Sequence, residues 1–408
     1  MHYPAPSFSP RAFNTIIYHL EPNIRIALSN LSPIMNIIDR RVHMSVFHLC
    51  FDNNVTIVND TKYTVGVVRH YPPTGVPLAS HIRENKEGGA RYEIGIVGRH
   101  HHFKGVVYDG DLKIGPRGQP EENESDRILM ENELRRMKIH DLTSEPSEER
   151  STMISKLESQ LFLLKHAEML PYTKYIQFTI ESPRGKLVWY RKYGPPYFLF
   201  DAIREVRSAL FNTGKGTRYI SVSKLEIGPN QPVLRLPRGP IFQIRILQLH
   251  QPLNSIFEDL APIINKHSFP LKGLVTQVGT PMQAREPKLL AVKHLVITNE
   301  QYKSPKFNFL WGIQHNDVVF KFDGFNSDII FSFLKCWNRV PKAAGREFYF
   351  QMPNVQKLDR IISALGEVYN MIQISKNRKY LMSLGNTLVN VSAIQRTGLL
   401  CLLFKIVF

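Results

Sequence analysis

The sequence predicts a mixed α/β chain. Its second half reads as an irregular, leucine-rich-repeat-like solenoid of strand–helix units, preceded by a short helical segment and a small β-meander. Two observations carry this. Apolar residues switch between a spacing of three and four, which marks a helix face, and strict alternation, which marks a strand. Beyond Pro171, strand-like runs also recur rhythmically: Ile227, Leu249, Val278, Ile297, Phe322 and Phe350 mark them at intervals of 22, 29, 19, 25 and 28 residues. Leucine-rich-repeat architectures repeat every 20 to 29 residues or so. A unit of that size cannot bury its own apolar face, so neighbours must stack, giving a mostly parallel sheet with helices along the outside. The consensus LxxLxLxxN is absent, and an ordinary three-layer α/β domain stays open as the alternative.

The elements follow in order. Residues 8–40 place Phe13, Ile16, Ile17 and Leu20 at helical spacing; Glu21-Pro22-Asn23 breaks that helix, Ile24, Ala27 and Leu28 form the next face, and Ser32-Pro33 breaks it before Ile34, Ile37 and Ile38. Three short helices are expected. Such a segment is too small to hold itself together and must pack on the rest or on a partner. Residues 42–114 are a small β-rich region: Phe47, Leu49 and Phe51 share one strand face, and Val55, Ile57, Tyr63, Val65 and Val67 flank the turn Asn59-Asp60. Residues 115–151, with Gly115-Pro116, Gly118, Pro120 and mixed charges, read as a mobile linker.

Residues 152–408 form the repeat-like α/β domain. Strands are expected at Ile176–Ile180, Leu187–Tyr190, Leu225–Ile227, Ile244–Leu249, Leu274–Val278, Val292–Ile297, Val318–Phe322 and Phe348–Phe350. Pro252 opens a helix with Leu253, Ile256, Phe257, Leu260, Ile263 and Ile264 inward. Asn326-Ser327 caps a second, with Ile329, Ile330, Phe333, Leu334 and Trp337; a third carries Val355, Leu358, Ile361, Ile362, Leu365 and Tyr369. The tail Leu399–Phe408 is too short to span a bilayer and reads as a final buried strand.

Composition narrows the function. Cys50, Cys336 and Cys401 are scattered and form no CxxC pair, which fits an intracellular, cytoplasmic or nuclear setting and leaves no thiolate anchor for zinc. The opening residues lack the apolar run of a signal peptide, and no segment is long enough to cross a membrane. The net charge of +17 raises nucleic-acid binding as an alternative function, but the basic residues are dispersed, and Arg135-Arg136-Met137-Lys138 sits among Glu131, Glu133 and Asp141. Nucleic acid is therefore the second choice. Thr213-Gly214-Lys215-Gly216-Thr217 imitates a phosphate loop but has Ala209 where the first glycine should stand. His100-His101-His102 cannot converge on one ion from a strand, and a surface loop is their expected setting. No catalytic residue, cofactor or metal site is predicted.

The stretch Phe13–Ile38, with Leu20-Glu21-Pro22-Asn23 and Arg25, resembles a divergent F-box. Val58-Asn59-Asp60-Thr61-Lys62-Tyr63, Pro171–Gln177, Val233-Leu234-Arg235-Leu236-Pro237 and Ser268-Phe269-Pro270-Leu271 extend the likeness to the F-box C type proteins of Caenorhabditis, which carry a domain of unknown function. The resemblance implies a non-enzymatic substrate receptor: the helices dock the Skp-type adaptor of a cullin-RING ubiquitin ligase, and the repeat region captures a protein target. Phe13, Ile16, Ile17, Leu20, Ile24 and Leu28 are then the adaptor-facing residues, or else the internal packing of the three helices.

Overall fold

In the computed structural model of the chain, the described residues are 9–94, 100–101, 108–114, 133–138, 151–155, 157–158, 171–194, 198–211, 216–229, 233–252, 256–278, 280–298, 313, 315, 317–321, 326–339, 345–375, 377–396 and 398–407. They form a mixed α/β fold with a large sheet component. Two compact units are present: Met1–Met44 with Cys50–Arg218 and Gln231–Pro240, and Ser45–Leu49 with Tyr219–Asn230 and Ile241–Phe408. No helix among the described residues is long and apolar enough to cross a membrane.

The first unit begins with three helices, α1 (Pro10–His19), α2 (Pro22–Leu31) and α3 (Pro33–Arg41). The end of β1 (Met44–Asp52) leads to β2 (Val55–Val58), β3 (Thr61–His70), α4 (Ala79–Lys86), β4 (Glu93–Ile94), β5 (His100–His101) and β6 (Leu112–Lys113). Then come β7 (Thr173–Ser182), β8 (Gly185–Lys192) and α5 (Leu199–Phe211). Strands β2, β3, β7 and β8 form an antiparallel ladder, with β3 and β7 paired from Lys62↔Glu181 to His70↔Thr173. Helix α5 lays Leu199, Ala202 and Ile203 against Val65, Val67, Ile176 and Phe178. Gly66 is needed where the chain at Gly88 and Gly89 crosses β3: a Cβ there would collide with the Gly88 carbonyl oxygen, and Gly88 and Gly89 themselves have positive φ.

Arg207 on α5 is fully buried and fully used. Its guanidinium donates to Thr56 Oγ1 (3.0 Å) and to the carbonyls of Asn53 (2.9 Å), Arg235 (3.1 Å) and Val55 (3.3 Å), and it stacks on Phe51. Burial pulls its pKa down to about 10. The pinned carbonyls lie around the β1–β2 turn and beside β10 (Val233–Leu234), which pairs with β6.

The second unit is built on β9 (Arg218–Ile227), β11 (Pro240–Pro252), β12 (Gly273–Gln277), β13 (His294–Thr298), β14 (Asp317–Lys321) and β15 (Glu347–Gln351). Strands β11 to β15 are parallel neighbours in sequence order, as the rhythm predicts. From β15 the sheet turns antiparallel through β19 (Leu399–Ile406), β18 (Thr387–Arg396), β17 (Lys379–Leu384) and β16 (Met371–Ser375). The returns between parallel strands include short helices, α6 (Ile256–Asp259), α7 (Pro281–Ala284) and α8 (Pro287–Leu290), and a longer one, α9 (Ser327–Trp337); α10 (Val355–Val368) follows β15 and leads to β16. Asn326 and Asn354 cap α9 and α10 by accepting the Ile329 and Lys357 amides. Phe333 and Trp337 of α9 interlock with Phe320 and Phe350 of the sheet, with Phe320 and Phe350 centroids 4.7 Å apart.

Several expectations need correction. Phe47 does not share a buried face with Leu49 and Phe51: it is 75% exposed, because alternation changes phase after the buried Met44 and Val46. Pro252 ends a strand and opens no long helix. Ile263, Ile264 and Asn265 are tied to β11 instead, through Phe242 N–H to the Ile263 carbonyl (2.7 Å) and Asn265 N–H to the Phe242 carbonyl (2.9 Å). His100 and His101 lie in a short strand paired with Glu93 and Ile94, where a loop was expected. Val355 is largely exposed at the first turn of α10, and Tyr369 is its C-cap. Strands β16 to β18 have no counterpart in the sequence reading. Phe322, Leu253, His102 and most of the expected linker at 115–151 lie outside the described residues; within that linker 133–138 is helical.

Candidate functional site

The three N-terminal helices are each started by the same local device. Ser9, Glu21 and Ser32 act as N-caps, and Pro10, Pro22 and Pro33 occupy the first helical position, where a missing N–H costs nothing. The Glu21 carboxylate accepts from the amides of Asn23 (2.8 Å) and Ile24 (3.1 Å), and Ser32 Oγ accepts from Met35 (3.4 Å). The prolines read as breakers therefore begin the helices that follow them.

A buried ionic cluster holds α2 and α3 in place. Arg25 donates through Nε to Asp39 Oδ1 (2.7 Å) and through its terminal nitrogens to the carbonyls of His43 (2.7 Å) and Val42 (2.9 Å). Arg218 donates to Asp39 Oδ2 (2.5 Å), so one carboxylate joins two guanidinium groups. Burial lowers the Arg218 pKa, and the Asp39 charge opposes that shift. A second tie sits at the α1–α2 break. Asn23 Nδ2 donates to the Val58 carbonyl (3.1 Å), Tyr63 Oη donates to Asn23 Oδ1 (2.9 Å), and Asn59 Nδ2 donates to Glu21 Oε1 (3.3 Å). Burial, with Glu21 nearby, pushes the Tyr63 hydroxyl pKa up. Two of the segments that carry the family resemblance, Leu20-Glu21-Pro22-Asn23 and Val58–Tyr63, thus meet in one hydrogen-bonded corner.

The same helices also expose apolar side chains, among polar ones such as Arg11, Asn14, Asn30 and Arg40. Leu31 is 82% exposed, Ile34 70% and Ile37 53%; Ile16 and Tyr18 on α1 are also exposed. Of the residues singled out from the sequence, Ile17 is in the core, Phe13, Leu20, Ile24 and Leu28 are half-buried, and Ile16 is outward. Sequence reasoning named Ile34 and Ile37 as a helix face without making them site residues, and it missed Tyr18 and Leu31. Their signal was arithmetic: three helices of about ten residues offer more apolar side chains than so small a segment can cover.

A polar cluster in the second unit was also missed. Glu226 on β9 meets His48 on β1 through Oε2 (3.0 Å), His250 on β11 through Oε1 (2.9 Å) and Lys224 Nζ (3.0 Å). These bonds, led by the His250 contact, hold its pKa far below the usual carboxylate range. The carboxylate thus ties three strands together. Among the described residues, no group of three or more His, Cys, Asp or Glu side chains has a geometry that could hold a metal ion.

No curated protein and no solved structure matches the chain. Residues 199–354, from the first residue of α5 to the N-cap of α10, match one family model, described as a domain of unknown function (DUF3557).

Proposed function

We propose that this chain is a non-enzymatic recognition subunit, a nematode F-box C type substrate receptor. Helices α1 to α3 dock a Skp-type adaptor of a cullin-RING ubiquitin ligase, and the strand–helix region, as a leucine-rich-repeat-like solenoid, holds the target. One observation carries the reading: Leu31, Ile34 and Ile37 stand outward on helices whose inner side is tied by Arg25, Asp39 and Arg218. Exposed apolar residues on a rigid helical scaffold form the kind of patch that a partner helix covers. Residues 199–354 match a domain of unknown function, and a domain of unknown function is also what the resemblance read from the sequence implies.

The test is co-elution of the intact purified chain with a recombinant Skp-type adaptor. A stable complex supports the reading. Failure to form one at micromolar concentrations contradicts it.

A further inference from the structure

Strand β8 ends its antiparallel ladder among the described residues, and all eight of its residues, Gly185–Lys192, are exposed. An outermost strand carries a row of main-chain N–H and C=O groups directed away from its neighbour, which another strand can pair with. Its side chains are of two kinds. Leu187 is 65% and Tyr190 59% exposed, with Val188 and Trp189 also outward, and Lys186, Arg191 and Lys192 bring positive charge with no carboxylate in the strand. Two nearby carboxylates offset part of this charge and leave the edge net positive. Glu181 is shared between Lys186 (2.9 Å) and Lys62 (3.6 Å), and Glu205 meets Arg191 (2.9 Å).

We propose that the open edge of β8 receives an extended, acidic segment of a partner protein as an added β-strand. This rests on the recognition-subunit reading above and names the chemistry of its target. A second copy of the chain is a poor occupant. Antiparallel self-pairing centred on Trp189 sets Lys186 opposite Lys192, and centring it half a step earlier sets Lys186 opposite Arg191; like charges directly opposite are destabilising. Single-stranded nucleic acid would use the charges and aromatics but leave the main-chain edge unpaired. The Trp189 ring is moreover already stacked on Phe178, at 5.2 Å and 6° between planes. A strand with glutamate or aspartate at alternate positions satisfies both the edge and the charges.

The experiment is fluorescence anisotropy on the full chain with a short labelled peptide of alternating glutamate and valine, its lysine counterpart, and a labelled single-stranded oligouridine. The acidic peptide should bind. The double variant Lys186→Glu, Lys192→Glu should weaken it about tenfold or more, from two cross-strand attractions turned into repulsions, and should gain affinity for the lysine peptide. Consecutive N–H groups of a strand point to opposite sides, so of Leu187→Pro and Val188→Pro one removes an outward donor while leaving the β7 ladder whole. That variant should keep its melting temperature and lose the peptide. Equal binding of the acidic and lysine peptides, no binding of either, or binding of oligouridine alone would overturn the proposal. Adaptor co-elution, measured on the same variants, should be unchanged; if the intact chain binds peptide but not adaptor, the ligase reading fails while the edge proposal stands.

Discussion

Helices α9 and α3 carry apolar side chains at the same helical spacing and leave them in opposite surroundings. On α9, Ile329, Ile330, Phe333, Leu334 and Trp337 are all buried, packed on β14 and β15 residues such as Phe320, Phe348 and Phe350. On α3, Ile34 and Ile37 point away from the core, and the helix's buried residue is the polar Asp39, bonded to Arg25. Periodicity reports that a helix forms and which residues share a face. What covers that face is a separate matter, decided by partners distant in sequence.

The contrast can be broken most forcefully at its buried side. Phe333→Ala should destabilise the second unit by about 4 kcal/mol, read as a lowered midpoint in urea unfolding, because the neighbouring rings cannot collapse into the space. Arg25→Ala should cost about 3 kcal/mol in the first unit: it removes a buried partner from Asp39 and leaves the carbonyls of His43 and Val42 without their donor. The same measurement with Gly66→Ala should show a loss of about 2 kcal/mol, since the chain at Gly88 cannot retreat without unpacking Ala90 and Ile94.

A smaller effect depends on pH. The Glu226 pKa is depressed in the folded chain, so its contribution is present above the unfolded value of about 4.3 and is lost as pH falls below it. Glu226→Gln should therefore cost about 1 to 2 kcal/mol at pH 7, the worth of a few partly exposed charged hydrogen bonds. The difference between the urea midpoints of variant and parent should be smaller at pH 3 than at pH 7. Equal differences at both values would mean that the carboxylate charge is not what ties β1, β9 and β11.

These contrasts also explain what could be read from the residues alone. The cap of α9, the apolar face of α10 and the strands from β11 to β15 were legible because their signals are local: an asparagine before a helical face, a helical spacing, or a short apolar run between turns. The Pro252 segment misled because Ile256, Leu260, Ile263 and Ile264 satisfy a helical pattern, whereas the backbone from Ile263 to Asn265 bonds across to Phe242. Strands β16 to β18 escaped notice: their faces become distinct only through pairing, as Met382 and Val389 meet on the buried side. In the candidate site, the helices and their breaks were readable. The clamp was not, since Arg218 lies 179 residues from Asp39, although an arginine between Ile24 and Ile26 hinted at a buried ionic partner.

At the exposed end of the comparison the expected stability change is smallest. Surface substitutions with few contacts stay within about 0.5 kcal/mol, so the variant Leu31→Ser, Ile34→Ser, Ile37→Ser should unfold at the same urea concentration as the parent. Co-elution of that variant with a Skp-type adaptor is the most direct measurement of the central claim. The account predicts a complex with the parent chain and none with the folded variant. A complex that survives the three substitutions, or a parent chain that captures no adaptor, would contradict it.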